Sequence, residues 1–329
     1  MYSLDSIRHL HIEASSACNA RCPLCPRNVF GYPHNLGYAE TSLELSLIEK
    51  SLSAEFLSQI KHVLFNGNFG DFTANLEILD IIRYLRRCNA DMKIEVSTNG
   101  SARNKEFWQQ LGSIDKITVQ FCLDGLEDTH VLYRQDTNWQ RIIENAQTFM
   151  AAGGRAVWKM IRFDHNEHQK EACQQLSKEL GFAGFVFNDH GRSNGPAFNR
   201  DGSLSHVLGE WNSFDNAKQT VEWLENNPTF KMPKSEPGSN IRCKALNDRS
   251  IYISAAGKVY PCCWLGFSPE TYDKNWLGML NKQIKPLVSN NDLRHNTLEQ
   301  CLEWFESVES TWNSSNRLAQ CDHNCSCKK

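Results

Sequence analysis

No stretch of the sequence stays apolar for the ~18–20 residues that a membrane span requires. The first residues, MYSLDSIRHLHIE, lack the basic-then-apolar order of a secretory signal. Neither sign of charge dominates. Lys and Arg total 35 against 38 Asp and Glu, a net charge of −3, which gives no global field for nucleic acid or anionic lipid. Internal repeats and low-complexity tracts are missing as well. The expectation is a cytoplasmic, globular chain with no membrane partner and no nucleic-acid role. Its 329 residues suffice for about two domains at roughly 150 residues each.

Cysteine, by contrast, is abundant, with 13 residues. A secreted disulfide scaffold would be short, and an odd number cannot pair off completely. In a reducing compartment, clustered cysteines read instead as metal ligands or catalytic groups. Here they form an N-terminal trio (Cys18, Cys22, Cys25) and a C-terminal set (Cys243, Cys262, Cys263, Cys321, Cys325, Cys327). Four more are scattered: Cys88, Cys122, Cys173 and Cys301. Cys173 and Cys301 fall at helical spacing with leucines and read as small core hydrophobes.

Strand and helix signals alternate along the first ~190 residues. Short β-rich runs recur at 8–14, 61–66, 93–98, 116–122, 155–163 and 184–188. Between them lie amphipathic helical stretches such as 75–87, 139–150 (closed by Gly153-Gly154) and 168–180. Six such alternations imply parallel βα units, either doubly wound or closed into a partial barrel. Both architectures gather their active site at the C-terminal ends of the strands. Several strands there end in polar residues, among them Asn66-Gly67-Asn68, Ser97-Thr98-Asn99-Gly100 and Asp124-Gly125. Residues 191–242, rich in Asn, Ser, Gly and Pro, read as a linker region with one helix near 217–226. From 243 a smaller unit begins with a hairpin signal, IYISAAGKVYPCC, turning at Ala256-Gly257. A helix at 297–312 follows.

Cys18-x3-Cys22-x2-Cys25 follows the first strand directly. Three thiolates within eight residues wrap one metal centre but leave a fourth position open, which is the hallmark of a reactive site. On spacing alone, zinc with a nearby histidine such as His34 as fourth ligand is an alternative to an iron–sulfur cluster.

In HIEASSACNARCPLC, with FNGNFGDF at 65–72, STNG at 97–100 and LDG at 123–125, the sequence resembles the radical SAM superfamily. The resemblance implies an α/β fold, a partial (β/α)6 TIM-type barrel over residues 1–190. It implies a [4Fe–4S] cluster held by Cys18, Cys22 and Cys25, with S-adenosylmethionine (SAM) on its open iron. It places Gly67, Asn68 and Asp71 at the SAM amino end, Ser97 and Asn99 at its carboxylate or ribose, and Cys122 and Asp124 close by. Two departures stand out. Leu24 occupies a position often aromatic in the family, and the glycine-rich segment lacks the usual Glu-Pro.

The C-terminal cysteines resemble the SPASM/Twitch extensions of the same superfamily. That implies a small α+β Twitch-like domain over 243–329 with one auxiliary [4Fe–4S] cluster on Cys243, Cys262, Cys321 and Cys325. Cys327 and Cys263 are reserve candidates. The enzyme class implied is a radical SAM oxidoreductase type. It would cleave SAM to a 5′-deoxyadenosyl radical and abstract hydrogen from a small polar metabolite or a peptide, for oxidation, epimerisation or cross-linking. A flavodoxin- or ferredoxin-type electron donor is implied as partner. With the trio starting at residue 18, no separate N-terminal peptide-recognition domain is expected. The rival readings are a ribosomal-peptide maturase of the same superfamily and, in another class, a non-catalytic zinc-binding interaction protein.

Overall fold

The computed structural model describes residues 2–34, 39–190, 194–211, 213–226, 240–267, 283–313 and 317–327. Six parallel strands, β1 (His9–Ile12), β2 (His62–Phe65), β3 (Lys93–Thr98), β4 (Ile117–Cys122), β5 (Arg155–Ile161) and β6 (Gly184–Asn188), lie side by side in chain order. The helices between them include α1 (Leu45–Ser51), α2 (Ala54–Ser58), α3 (Ile78–Cys88), α4 (Lys105–Gly112), α5 (Glu127–Tyr133), α6 (Trp139–Ala151) and α7 (Lys170–Glu179). The result is a partial TIM-type barrel, with the helices on the outside of a curved sheet.

Alternation along the strands explains both faces. Ile94, Val96, Val119 and Phe121 point outward and are buried with Trp108, Phe149 and Ile142 of the flanking helices. Full burial of one such side chain contributes about 1.5–3 kcal/mol. The opposite face carries Glu95, Ser97, Gln120 and Lys159 into the barrel interior. There Lys159 Nζ donates to Gln120 Oε1 (2.9 Å), Gln120 Nε2 donates to Glu95, and His62 lies 3.7 Å from Glu95. Helix starts follow side-chain capping: Asn104 and Asn138 accept from the backbone N–H of Phe107 and Arg141. Helix α6 stops at Ala152 and the chain turns at Gly153, whose φ of 102° suits glycine.

The segment between 191 and 242 contains regular structure among its described residues. Strands β7 (Gly195–Phe198) and β8 (Leu204–Leu208) form an antiparallel hairpin, followed by α8 (Ala217–Asn226). Phe198 N–H donates to the Phe30 carbonyl (2.8 Å), and Gly195 sits where a Cβ would strike the Phe30 ring at 2.7 Å. The hairpin is thereby packed on the loop that carries the cysteine trio. Composition hides it, because its Asn199, Asp201 and Gly202 serve the turn between the two strands.

The chain beyond 240 joins the same sheet. Strand β9 (Asn240–Ile241) precedes α9 (Lys244–Asn247), and β10 (Ser250–Ile253) then pairs in parallel with β1, His9 opposite Ser250. Strand β11 (Val259–Tyr260) closes the hairpin on the outer edge, turning at Gly257 (φ 71°). After α10 (Cys263–Phe267), the expected helix at 297–312 is two short helices, Leu298–Leu302 and Phe305–Ser310. A last helix, Ala319–Cys325, leads into β12 (Ser326–Cys327), which pairs with β9. Among the described residues no helix is long and apolar enough to cross a membrane.

Candidate active site

The trio occupies the loop after β1, at the C-terminal mouth of the barrel. Cys22 is 7% exposed and packs with Ala20, Tyr133, Ile161, Phe163 and Leu208, while Cys18, Leu24 and Cys25 border that cluster. The loop is folded by its own backbone, Cys25 N–H to Cys22 O (3.0 Å), and by Asn28, whose Nδ2 donates to Cys22 O (3.2 Å). Burial, with Asp71 and Cys22 nearby, pushes the Cys18 thiol well up, so a free thiol there stays neutral.

Two sulfurs of the trio each receive a polar donor that is held by a buried carboxylate. Asn99 Nδ2 lies 3.5 Å from Cys18 Sγ, and Asp71 accepts from both the Asn99 backbone N–H (2.8 Å) and Nδ2 (3.1 Å). Arg134 Nη1 lies 3.8 Å from Cys22 Sγ, and its Nε donates to Asp124 at 2.6 Å. Burial works against the Arg134 charge, yet Asp124, Cys22 and Cys122 around it raise its pKa well above the ordinary value. Asp124 is fully buried and also accepts from Ile161 N–H at 2.6 Å, tying the end of β4 to the end of β5. His130 of α5 belongs to the same knot, its Nδ1 accepting from Asp124 N–H (3.1 Å). Burial takes that imidazole down to about 4, so it is neutral near pH 7. Donors of this kind suit thiolates, which are acceptors only, and the residues present fit a cluster with three protein ligands.

The sites expected for SAM divide between the mouth and the interior. Asp71 is 6% exposed and fully engaged within the protein by Thr73, Thr98 and Asn99, acting as a clamp between the ends of β2 and β3. Gly67 and Gly70 bring backbone against Glu13: a Cβ on Gly67 would lie 2.7 Å from Glu13 Oε1, and Gly70 N–H donates to the same oxygen at 3.1 Å. Asn68 faces the C-terminal segment, its Nδ2 donating to Cys263 O (2.9 Å). Ser97 sits deeper, bonded to Gln120 Oε1 (3.1 Å). Cys122, whose thiol burial pushes up while Arg134 and Lys159 pull it down, lies beside Arg134.

Two residues absent from the sequence-based site stand out. Arg134 gives no local signal, because it matters through Asp124 at the start of the β4–α5 connection and Cys22 in the loop after β1. Glu13, just beyond β1, is fully buried and accepts from Phe69 and Gly70 N–H and from Tyr252 Oη (2.9 Å).

A second constellation forms at the far edge of the sheet. Cys243, the residue before α9, Cys262 after β11, and Cys321 and Cys325 on one face of the last helix all line a single cavity. Cys263 is not part of that lining; it turns toward Glu13, and burial pushes its thiol to about 11. Within the cavity Cys243 hydrogen-bonds Cys325, which brings Cys325 down to about 6, while burial pushes Cys321 up to about 12. Tyr2 and Trp312 line the same cavity, and neither Tyr2 Oη nor Trp312 Nε1 has a nitrogen or oxygen partner; Tyr2 lies against the Cys243 thiol and Trp312 against that of Cys321. An unsatisfied buried donor costs about 1–3 kcal/mol. Among the described residues no three His, Cys, Asp or Glu side chains are gathered around a single ion position. The Cys327 side chain lies outside the described residues.

Comparison with known proteins agrees with this layout. The structure superposes on Streptococcus suis SuiB bound to S-adenosylmethionine with a TM-score of 0.54 at 13% identity, covering 97% of this chain and 73% of SuiB. It superposes on anSMEcpe, solved with AdoMet and the Cp18Cys peptide, with a TM-score of 0.51 at 16% identity, covering 96% and 88%. At such identities these likenesses speak for the fold alone. In sequence, 121 residues are 26% identical to the tungsten-containing aldehyde ferredoxin oxidoreductase cofactor-modifying protein of Pyrococcus furiosus, over 36% of this chain and 32% of that protein. The match therefore spans about a third of that relative's length. Residues 12–172, from the end of β1 into α7, match the Radical SAM superfamily model. Over this barrel region the chain is similar to the Radical SAM superfamily.

Proposed function

We propose that the chain is a radical SAM enzyme acting on a peptide or a small polar metabolite, with Cys18, Cys22 and Cys25 holding the catalytic [4Fe–4S] cluster. The observation that carries this is the paired arrangement at the trio, Asp71–Asn99 on Cys18 and Asp124–Arg134 on Cys22. When bound, such a cluster supplies an electron to SAM, yielding methionine and a 5′-deoxyadenosyl radical that removes hydrogen from the substrate. The protein's part is positioning and exclusion of water. Arg134 offers a fixed cation to a carboxylate at the mouth. Leu208 and Phe163 wall off the Cys22 side, and Lys159 and Gln120 face the interior where a substrate would lie.

Both solved neighbours have been seen with peptides, SuiB with the precursor peptide SuiA and anSMEcpe with Cp18Cys. That supports testing peptides first, for oxidation, epimerisation or cross-linking. Reduction would come from a flavodoxin- or ferredoxin-type donor.

The region 243–329 is proposed as a Twitch-like unit with one auxiliary [4Fe–4S] cluster on Cys243, Cys262, Cys321 and Cys325, after the barrel of 1–190 and the segment 191–242. The shared cavity and its two buried donors set against cysteine sulfurs support that reading. Anaerobic protein given SAM and dithionite should release 5′-deoxyadenosine. Cys22→Ala should abolish release while keeping the C-terminal iron. Full release by that variant would sink the assignment, and zinc without iron at the C-terminus would favour the non-catalytic zinc reading there.

A further inference from the structure

Tyr2 and Trp312 reach the C-terminal cavity from opposite ends of the chain. Tyr2 precedes the short 3-10 helix Leu4–Ser6 and packs edge-on against Phe305, ring centroids 4.9 Å apart. Trp312 lies just beyond the helix Phe305–Ser310. The Tyr2 ring lies against Cys243, and Trp312 against Cys321. Tyr2 Oη and Trp312 Nε1 are both shut off from solvent with no nitrogen or oxygen partner, Tyr2 being set against the Cys243 sulfur and Trp312 against the Cys321 sulfur. Buried Tyr and Trp ordinarily find an acceptor, and phenylalanine would fill the same apolar volume without leaving a donor. The sulfurs beside them belong to the four-cysteine set, Cys243 at Tyr2 and Cys321 at Trp312.

We infer that Tyr2 and Trp312 are hydrogen-bond donors to the sulfur shell of an iron–sulfur cluster in this cavity, and that they set its reduction potential. The inference rests on the auxiliary-cluster reading above. A donor to a cluster sulfur stabilises the reduced form, which carries the additional negative charge, so each donor moves the potential upward. The N-terminal residues thus act on a centre held by the C-terminal ones. They are positioning residues for an electron-accepting centre, not ligands of it.

The experiment uses the full chain in the Cys22→Ala background, where only C-terminal iron remains, reconstituted anaerobically with iron and sulfide. Tyr2→Phe, Trp312→Phe and Trp312→His are compared by iron and sulfide content and by a potentiometric titration followed by electron paramagnetic resonance. At a fixed potential near the parent midpoint, each Phe variant should show about a tenfold lower ratio of reduced to oxidised cluster, a downward shift of about 59 mV for one electron. Trp312→His retains an N–H and should stay close to the parent ratio. Phe variants with full iron and the parent midpoint would overturn the inference while leaving the cluster reading intact. A parent protein without C-terminal iron would overturn both. Iron lost from the Phe variants but kept by Trp312→His supports the donor role, and equal loss from all three removes it.

Discussion

Arg134 and Asp124 show how one residue pair joins stability to the site. The Asp124 carboxylate is fully buried and the Arg134 side chain is 14% exposed, at 2.6 Å separation. Removing one partner of such a pair strands a charge and costs about 3–5 kcal/mol. Arg134→Met should therefore lower unfolding free energy by about that amount in denaturant titration, and Asp124→Asn in the same chain should recover most of it. A full loss in the double variant would show that the pair is not the source. His130 adds a pH dependence. Its folded pKa, brought down by burial to about 4, lies below the ordinary 6.5. Below about 6.5 the unfolded chain binds the proton more readily, so stability falls with pH between about 6.5 and about 4, by roughly 3 kcal/mol in all. Thermal melts should show a shallower decline across that window for His130→Gln than for the parent. The cysteine trio, with its spacing of three and two, was legible in sequence because the ligands are local. Arg134 was not, because its importance comes from Asp124 and Cys22, 10 and 112 positions away, and the tie of Glu13 to Tyr252 spans 239 positions.

At the scale of elements, the glycine-rich segment after β2 is fixed by close approach to the loop that carries the cysteine trio. A Cβ on Gly70 would collide with the Ser15 carbonyl oxygen and lie 2.6 Å from that of Ala17, while Asp71 N–H donates to Ala17 O at 2.9 Å. Both neighbours are backbone and cannot swing aside. Gly70→Ala should push the segment away from the trio, at a cost of about 1–3 kcal/mol. The expected readout is weaker SAM binding by equilibrium dialysis and less iron retained on reconstitution. An alanine variant with parental SAM affinity and iron would show that the segment has slack. The barrel strands were legible because β-rich runs at 93–98 and 116–122 alternate a buried face with a polar one, and the observed strands fall on them. The β7–β8 hairpin was not, because all four residues of β7, Gly-Pro-Ala-Phe, are buried, leaving no alternation to read. Its burial is set by the loop of the cysteine trio, which lies far away in sequence.

For the whole molecule, the order of strands has a consequence that the linear division into 1–190, 191–242 and 243–329 does not convey. Strand β1, which leads into the cysteine trio, is flanked by β2 on one side and by β10 on the other, each over four residue pairs. Tyr252 of β10 also holds Glu13 beyond the end of β1, and Ile253 O accepts from Glu13 N–H at 2.9 Å. A chain cut at residue 242 would leave β1 as a bare edge with unpaired backbone groups and a row of apolar side chains, the usual template for aggregation. It would also release Glu13 from Tyr252, loosening the carboxylate that receives Phe69 and Gly70. Residues 1–242 expressed alone should therefore be insoluble or associate on size-exclusion chromatography, and should not cleave SAM after reconstitution. A monomeric 1–242 that releases 5′-deoxyadenosine at the parental rate would mean that the barrel is a self-sufficient domain and that β10 is only docked on it. The expected failure would instead make the sheet one cooperative unit, in which the C-terminal cysteines and the N-terminal cysteine trio are held by neighbouring strands.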